Sequence, residues 1–182
     1  MFSKKFFFKK NSYSAGFTFI ELLVVISIIV LLSTVAMVAV DKTRRQTIDV
    51  QRLVDMKKIE AALELYYDKN RHYPDTNGNG CGGWNVGNKT LSFMQGSLPN
   101  VLEDPPEDPL KTGTCYGYRY YRYVPDNPTV GIEGCPAGKS FYVLGITDLE
   151  ASQGSHFNSP GWSCPDRNWQ NEMEWVTGKF EN

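Results

Sequence analysis

The hydrophobic positions at the start of the chain form one almost unbroken run, from Phe17 to Val40. These 24 residues contain no proline, glycine, lysine or arginine. As a helix rising 1.5 Å per residue, they would extend about 36 Å, enough to cross a bilayer core of about 30 Å. One carboxylate, Glu21, lies near the start of the run, and an acid in a membrane helix is costly without a partner. The pattern therefore predicts a membrane-spanning helix whose single acid needs a partner.

Beyond this run, hydrophobic residues recur every three or four positions from Asp41 to Tyr73, and no proline occurs before Pro74. Such spacing places them on one stripe of an amphipathic helix. We therefore predict one helix from Phe17 to about Arg71, whose second half is covered by a sheet. The stripe consists of Leu53, Met56, Ile59, Leu63 and Tyr66. Charged residues lie mostly off it, namely Arg52, Asp55, Lys58 and Glu64.

Two later segments have the composition of β-strands. Residues 116–124 (YGYRYYRYV) are rich in aromatic strand formers, and residues 140–146 (SFYVLGI) follow after a turn. We expect one face of the first strand to pack on the helix, although tyrosines interleaved with arginines can also stack the bases of single-stranded DNA. The polar tail, residues 151–182, holds three tryptophans. We expect these tryptophans to pack rather than to contact a ligand.

Charge is distributed unevenly along the 182 residues, a length that suits one modest domain with an appendage. The net charge is −1, which gives no overall electrostatic case for nucleic-acid binding. Residues 1–16 hold four lysines and no acid, and by the positive-inside rule they keep this end in the cytoplasm. We therefore expect the part of the chain beyond the apolar run to be exported.

All the cysteines follow the apolar run. An even number in an exported, loop-rich region favours disulfides over a zinc site, and no CxxC pair is present. Three connectivities are open, with Cys164 expected to join the tail to Cys135 or Cys115. The disulfide candidates are Cys81, Cys115, Cys135 and Cys164.

A loop after the helix is a weak candidate for a calcium site. Asp75, Asn77 and Asn79 in DTNGNG match the first oxygen-bearing positions of a calcium loop, but Val86 stands where the bidentate acid is expected. Asn and Asp with Gly also form ordinary turns. We favour turns and expect no cofactor, with calcium kept as the alternative.

The string GFTFIELLVVI at residues 16–26 closely resembles the cleavage and methylation motif of type IV prepilins and type II secretion pseudopilins. A basic leader ends at Gly16, Phe17 follows, and Glu21 occupies the fifth mature position. The resemblance implies cleavage between Gly16 and Phe17 by a membrane aspartic prepilin peptidase, with N-methylation of Phe17. It also implies polymerisation into a helical filament by an assembly ATPase and an inner-membrane platform protein.

Within this resemblance, Glu21 is predicted to set the register of assembly rather than to act in catalysis. Cleavage creates an α-amino group at Phe17 that is cationic near neutral pH. In a filament, the amine of a neighbouring subunit can approach Glu21, whereas any other register leaves the acid buried and unpaired. The pair therefore favours a single register.

The resemblance implies an α+β, type IV pilin-like fold in three parts: a cleaved leader (1–16), a long helix (17–72, with 17–40 as membrane span and filament core) and an extracytoplasmic head (73–182). The head would combine an antiparallel sheet with the Trp-rich tail. We expect a structural subunit of a pilus-like or secretion pseudopilus filament and no enzyme, since no nucleotide-binding or nucleophile–base pattern occurs. The alternative is a minor pilin that binds DNA or a surface. Before assembly, the protein would lie in the inner membrane with its N-terminus in the cytoplasm; afterwards, it would lie in an extracellular or periplasmic filament.

Overall fold

A computed structural model describes residues 16–76, 81–86, 98, 102, 105–110 and 117–182. The chain forms two compact units, Met1–Asp41 and Lys42–Asn182. Helix α1, Phe19–Asn70, contributes to both units. The predicted helix is thus confirmed to within two residues at its start and one at its end. It ends where Arg71 adopts a left-handed conformation (φ 64°) and donates its backbone N–H to the Tyr67 carbonyl at 2.7 Å.

In the first unit, α1 presents its apolar side chains outward. Every residue from 16 to 40 is exposed within the chain. The helix contains a window that is long and apolar enough to cross a membrane, and none of that window is buried. A helix can cross a bilayer because all its backbone groups are bonded within the segment. Residues 19–40 therefore have the properties predicted for a membrane span.

The second unit contains the strands β1 Asn85–Val86, β2 Tyr118–Tyr123, β3 Phe141–Ile146, β4 Ser163–Cys164, β5 Arg167–Asn168 and β6 Trp175–Phe180. Four of them form an antiparallel sheet of order β1-β2-β3-β6. The central strand, β3, pairs with β2 on one side and with β6 on the other, so that Leu144 lies opposite both Tyr120 and Thr177. A separate two-stranded ribbon, β4-β5, precedes a 3₁₀ turn at Trp169–Asn171.

One face of the sheet packs on the second half of α1. The predicted stripe is confirmed: Met56, Ile59 and Leu63 are fully buried, and Leu53 and Tyr66 pack at its margin. β-strand alternation directs every second side chain of β2 and β3 to this layer. The sheet contributes Tyr118, Tyr120, Tyr142, Leu144, Ile146 and Trp175.

The tail covers the opposite face, so the sheet is buried on both sides. All six residues of β3 are buried for this reason. The expectation of packed tryptophans is confirmed for Trp169 and Trp175, whereas the strand β6 is a finding that the polar tail did not predict. Gly178 of β6 leaves room for the Trp162 ring, which a β-carbon at that position would overlap. This second core contains Trp84, Phe141, Val143, Trp169, Met173 and Val176.

A disulfide joins Cys135 to Cys164 within the second core. The expectation that Cys164 ties the tail to an earlier cysteine is thereby confirmed, with Cys135 as the partner. Cys81 is also disulfide-bonded, and Cys115 lies outside the described residues. The bridge links the loop after β2 to the ribbon that begins the tail's covering layer.

Replacing both Cys135 and Cys164 with serine is expected to lower the free energy of unfolding by about 3–4 kcal/mol. The bridged cysteines are 29 residues apart, and the chain-entropy model gives about that value for a loop of this length. Urea unfolding followed by tryptophan fluorescence would measure the loss. An unchanged midpoint and slope in the double variant would contradict the prediction.

Candidate functional site

The start of α1 holds Glu21 in a reciprocal capping arrangement with Thr18. The Glu21 carboxylate accepts the Thr18 backbone N–H at 2.8 Å and the Thr18 hydroxyl at 2.7 Å. In return, the Thr18 hydroxyl oxygen accepts the Glu21 backbone N–H at 3.3 Å. A threonine followed three residues later by glutamate forms this box because each side chain satisfies an N–H that the first helical turn leaves unbonded. Within a single chain, the acid therefore has a local partner.

Sequence reasoning singled out Gly16, Phe17 and Glu21 but missed Thr18. The signal was readable, since the T-x-x-E spacing lies at the start of the apolar run. Gly16 and Phe17 precede α1 and are exposed, and their role in cleavage and methylation stays a prediction. The pairing of Glu21 with a neighbour's amine concerns the processed and assembled chain, and it stays a prediction.

The remaining polar side chains of the apolar run are satisfied within the helix. Ser27 donates to the Val24 carbonyl and Ser33 to the Ile29 carbonyl, each at 2.7 Å. Thr34 does the same with the Leu31 carbonyl at 2.7 Å. Such back-bonding lets hydroxyls enter an apolar environment without an unbonded donor. Between residues 19 and 40, Glu21 is the only residue whose side chain carries a charge.

Further along α1, a buried cation ties the helix to distant loops. Arg52 is fully buried, although helical periodicity places it off the apolar stripe. Its guanidinium donates to Asp108 at 3.0 Å and to the Asp148 carbonyl at 3.1 Å. It also lies 3.3 Å from the Glu150 carboxylate. Burial alone would lower the pKa of Arg52, but the bonds and charges of Asp108 and Glu150 outweigh it and raise that pKa, so the cation persists.

Two acids on the same helix bind the head in a similar way. Asp49 accepts the backbone N–H groups of Glu150 and Ala151, each at 2.7 Å. Asp55 accepts the Tyr118 hydroxyl at 2.7 Å. Burial, followed by the bond to Asp55, raises the pKa of Tyr118, so this tyrosine remains a neutral donor. These contacts hold the helix against the sheet and its loops.

The predicted calcium residues are only partly within the described chain. The Asp75 carboxylate accepts a bond from the Arg122 guanidinium, which also binds Glu181 at 2.8 and 2.9 Å. Asn77 and Asn79 lie outside the described residues. Within the part of the chain that the structure describes, no three His, Cys, Asp or Glu residues are grouped to hold a metal. Calcium stays the untested alternative to ordinary turns, and Asp75 is the partner of Arg122.

In strand β2, two tyrosines and one arginine make their contacts within the protein. Tyr118 and Tyr120 are fully buried against α1, which confirms the packing interpretation of that face. The charge of Arg122 is neutralised by Glu181 and Asp75. Base stacking requires open aromatic faces beside unpaired cations. The described contacts of Tyr118, Tyr120 and Arg122 therefore favour packing over nucleic-acid binding.

Comparison with known proteins identifies one family model in the chain. It is described as the prokaryotic N-terminal methylation motif, and it matches residues 11–37. No curated protein and no solved structure matches the chain. The match covers the predicted cut site, the capping box and most of the apolar run. It therefore confirms the resemblance that residues 16–26 indicated.

Proposed function

We propose that this chain, which carries the type IV pilin and pseudopilin signature, is a structural filament subunit that polymerises through α1. The observation that carries the proposal is the match of the methylation motif to a helix whose apolar segment, up to residue 40, is exposed at every position within the chain. Such an apolar surface is unfavourable in water, because burying one large aliphatic side chain in an apolar environment lowers the free energy by about 1.5–3 kcal/mol. The bilayer covers this surface before assembly, and neighbouring helices cover it afterwards.

Processing prepares the helix for this exchange. Cleavage after Gly16 removes the basic leader and retains the apolar run, whereas secretory signal cleavage removes the apolar region. The new amine at Phe17 then lies beside the capping box of Thr18 and Glu21. In the filament, a neighbour's amine replaces the local donors of Glu21, and the resulting ion pair fixes how far one helix is shifted along the next.

Processing and filament assembly of this kind require several partner proteins. A membrane-embedded prepilin peptidase cuts and methylates the chain, a platform protein and an assembly ATPase extract it, and other copies receive it. The four leader lysines keep the N-terminus in the cytoplasm. The Cys135–Cys164 disulfide supports export of the head, since such bonds persist in oxidising compartments. The protein is thus stored as a single-pass inner-membrane protein and ends in a filament outside that membrane.

Co-expression with a prepilin peptidase is expected to shorten the chain by the leader, residues 1–16, and to add one methyl group at Phe17. Gly16→Val is expected to block the cut, because a branched side chain would occupy the position where the peptidase must reach the backbone. Mass spectrometry of the purified protein would measure both changes. Ser14→Ala serves as the matched leader control and should be cut normally. An intact leader on the unaltered chain would refute the proposed processing.

A further inference from the structure

The loop between β3 and β4 carries an aromatic side chain that the head leaves in solvent. Phe157 is 87% exposed, more than any other large hydrophobic side chain described between residues 42 and 182. Its surroundings are polar but carry no formal charge, since residues 151–164 include no Asp, Glu, Lys or Arg, although 21% of the chain is charged. The ring can therefore leave water without removing a charged neighbour from it. We call residues 151–159 the Phe157 loop.

Hydrogen bonds hold the backbone on both sides of Phe157. The His156 N–H donates to the Glu174 carbonyl at 2.6 Å, and the Asn158 carbonyl accepts the Trp175 indole N–H at 3.2 Å. The Asn158 N–H also donates to Nδ1 of His156 at 3.2 Å, and the centroids of the His156 and Phe157 rings are 4.6 Å apart. The loop thus presents its aromatic ring at a fixed tip, and a contact made there does not have to order the loop first.

The Phe157 loop lies beside the part of α1 that begins the second unit. Asp49 accepts the Ala151 N–H at 2.7 Å, and Gln46 and Phe157 border one surface depression. The second unit begins at Lys42, two residues after the end of the apolar run. From Lys42 to Gln46, α1 rises by about 6 Å. The loop is therefore about one helical turn beyond the first cation that follows the run.

Exposed cations mark the level at which the chain leaves the apolar run. Lys42, Arg44 and Arg45 are all exposed. Cationic side chains next to a membrane span lie in the headgroup layer, where they meet lipid phosphates. The hydrocarbon core is about 30 Å thick and the whole bilayer about 40–45 Å, so each headgroup layer is about 5–8 Å thick. The Phe157 loop is consequently at the level of this layer.

The chemistry of the loop suits a lipid interface. An aromatic ring can enter the boundary between acyl chains and headgroups, while neighbouring hydroxyl, amide and imidazole groups bond to lipid phosphates and carbonyls. One ring would not hold a protein on a membrane by itself. Here, however, the span keeps the loop at the surface, so the contact forms at a high local lipid concentration and without a further loss of translational freedom.

We propose that the Phe157 loop is a second membrane contact, in which Phe157 inserts into the lipid interface on the head's side while α1 is stored in the bilayer. The inference rests on the proposed membrane storage and adds which surface of the head meets lipid. Transfer into a filament must then release the head from the lipid surface as well as remove the span from the bilayer.

Photochemical crosslinking of the full chain in lipid nanodiscs tests the proposal. A photoreactive phenylalanine derivative would replace Phe157, and mass spectrometry of the digested protein would detect peptides that have gained the mass of a lipid. The matched control carries the derivative in place of Val130, which is 57% exposed. Val130 lies between β2 and β3, at the opposite end of the sheet from the segment that joins β3 to β6. Lipid adducts at position 157 are expected to exceed those at position 130 by about tenfold or more.

Fluorine NMR gives a second readout with a smaller change. Para-fluorophenylalanine would replace Phe157 alone, which keeps the ring, and the nanodiscs would contain a lipid whose headgroup carries a gadolinium chelate. The fluorine signal is expected to broaden at least about threefold more than that of the same label at position 130, because the ring lies among the headgroups. Formation of the Cys135–Cys164 bond in each labelled protein would show that the head has folded.

The possible outcomes separate this contact from the membrane storage on which it rests. Lipid adducts and broadening at position 157 but not at position 130 support the contact. A chain that stays in the nanodisc and gives no lipid adduct at position 157, equal adducts at both positions, or adducts only to protein overturns the contact and leaves membrane storage standing. If the unaltered chain does not insert in the nanodisc, both membrane storage and the contact are overturned.

Discussion

Replacing Arg52 with alanine is expected to lower the free energy of unfolding of the head by about 3–5 kcal/mol. Removal of one member of a buried ion pair has this effect because the other member stays buried without the opposite charge that the pair supplied. Here the Asp108 side chain is 2% exposed and the Arg52 side chain is fully buried. The variant would also leave the Asp148 carbonyl without the donor that Arg52 supplies at 3.1 Å.

Urea unfolding of the full chain in detergent, followed by tryptophan fluorescence, would measure this loss. Lys57→Ala is the matched control, since Lys57 is also a cation on α1 with an acid three residues away, at 2.6 Å. The Lys57 side chain is 65% exposed, and exposed pairs of this kind contribute at most about 1 kcal/mol. If Arg52→Ala destabilised the head no more than Lys57→Ala, the buried cluster would not hold the loops as described.

The sequence predicts the long helix well because two independent patterns agree along it. An uninterrupted apolar run and a following three-to-four-residue period both require a helix, and Pro74 limits its end. The burial of Met56, Ile59 and Leu63 follows directly from that period. The period carries no information about Arg52 and Asp55, whose burial depends on partners 56 and 63 residues away. Long-range ion pairs leave no local periodic signal.

Strand β6 shows a second limit of sequence reasoning. Trp175–Phe180 contains a glycine and a lysine and lies in a polar tail, so its composition does not indicate a central role. Its place in the sheet is determined by pairing with β3. Gly145 of β3 leaves space for the Met173 side chain, and Gly178 of β6 leaves space for the Trp162 ring. The position of β6 thus depends on packing between segments that are distant in sequence. The capping box, in contrast, was readable because Thr18 and Glu21 are three residues apart.

Glu21→Gln is expected to insert normally in the membrane but to reduce filament yield by more than about tenfold. Glutamine keeps an oxygen that can accept the Thr18 N–H and so preserves most of the cap. It removes the negative charge, so a neighbour's cationic amine would be buried without a counter-charge in the filament core. The variant therefore separates the intersubunit charge pair from the capping of α1.

Thr18→Val supplies the complementary change, because it removes the hydroxyl that exchanges bonds with Glu21 and keeps the carboxylate. We expect this variant to assemble at close to the normal yield, with cleavage and insertion unchanged in both variants. Electron microscopy and quantification of sheared filaments would compare them with the unaltered protein. The opposite ranking, in which Glu21→Gln assembles and Thr18→Val does not, would assign Glu21 to helix capping alone. In that case, the register of the filament would have to come from apolar packing, because no other charged side chain lies between residues 19 and 40.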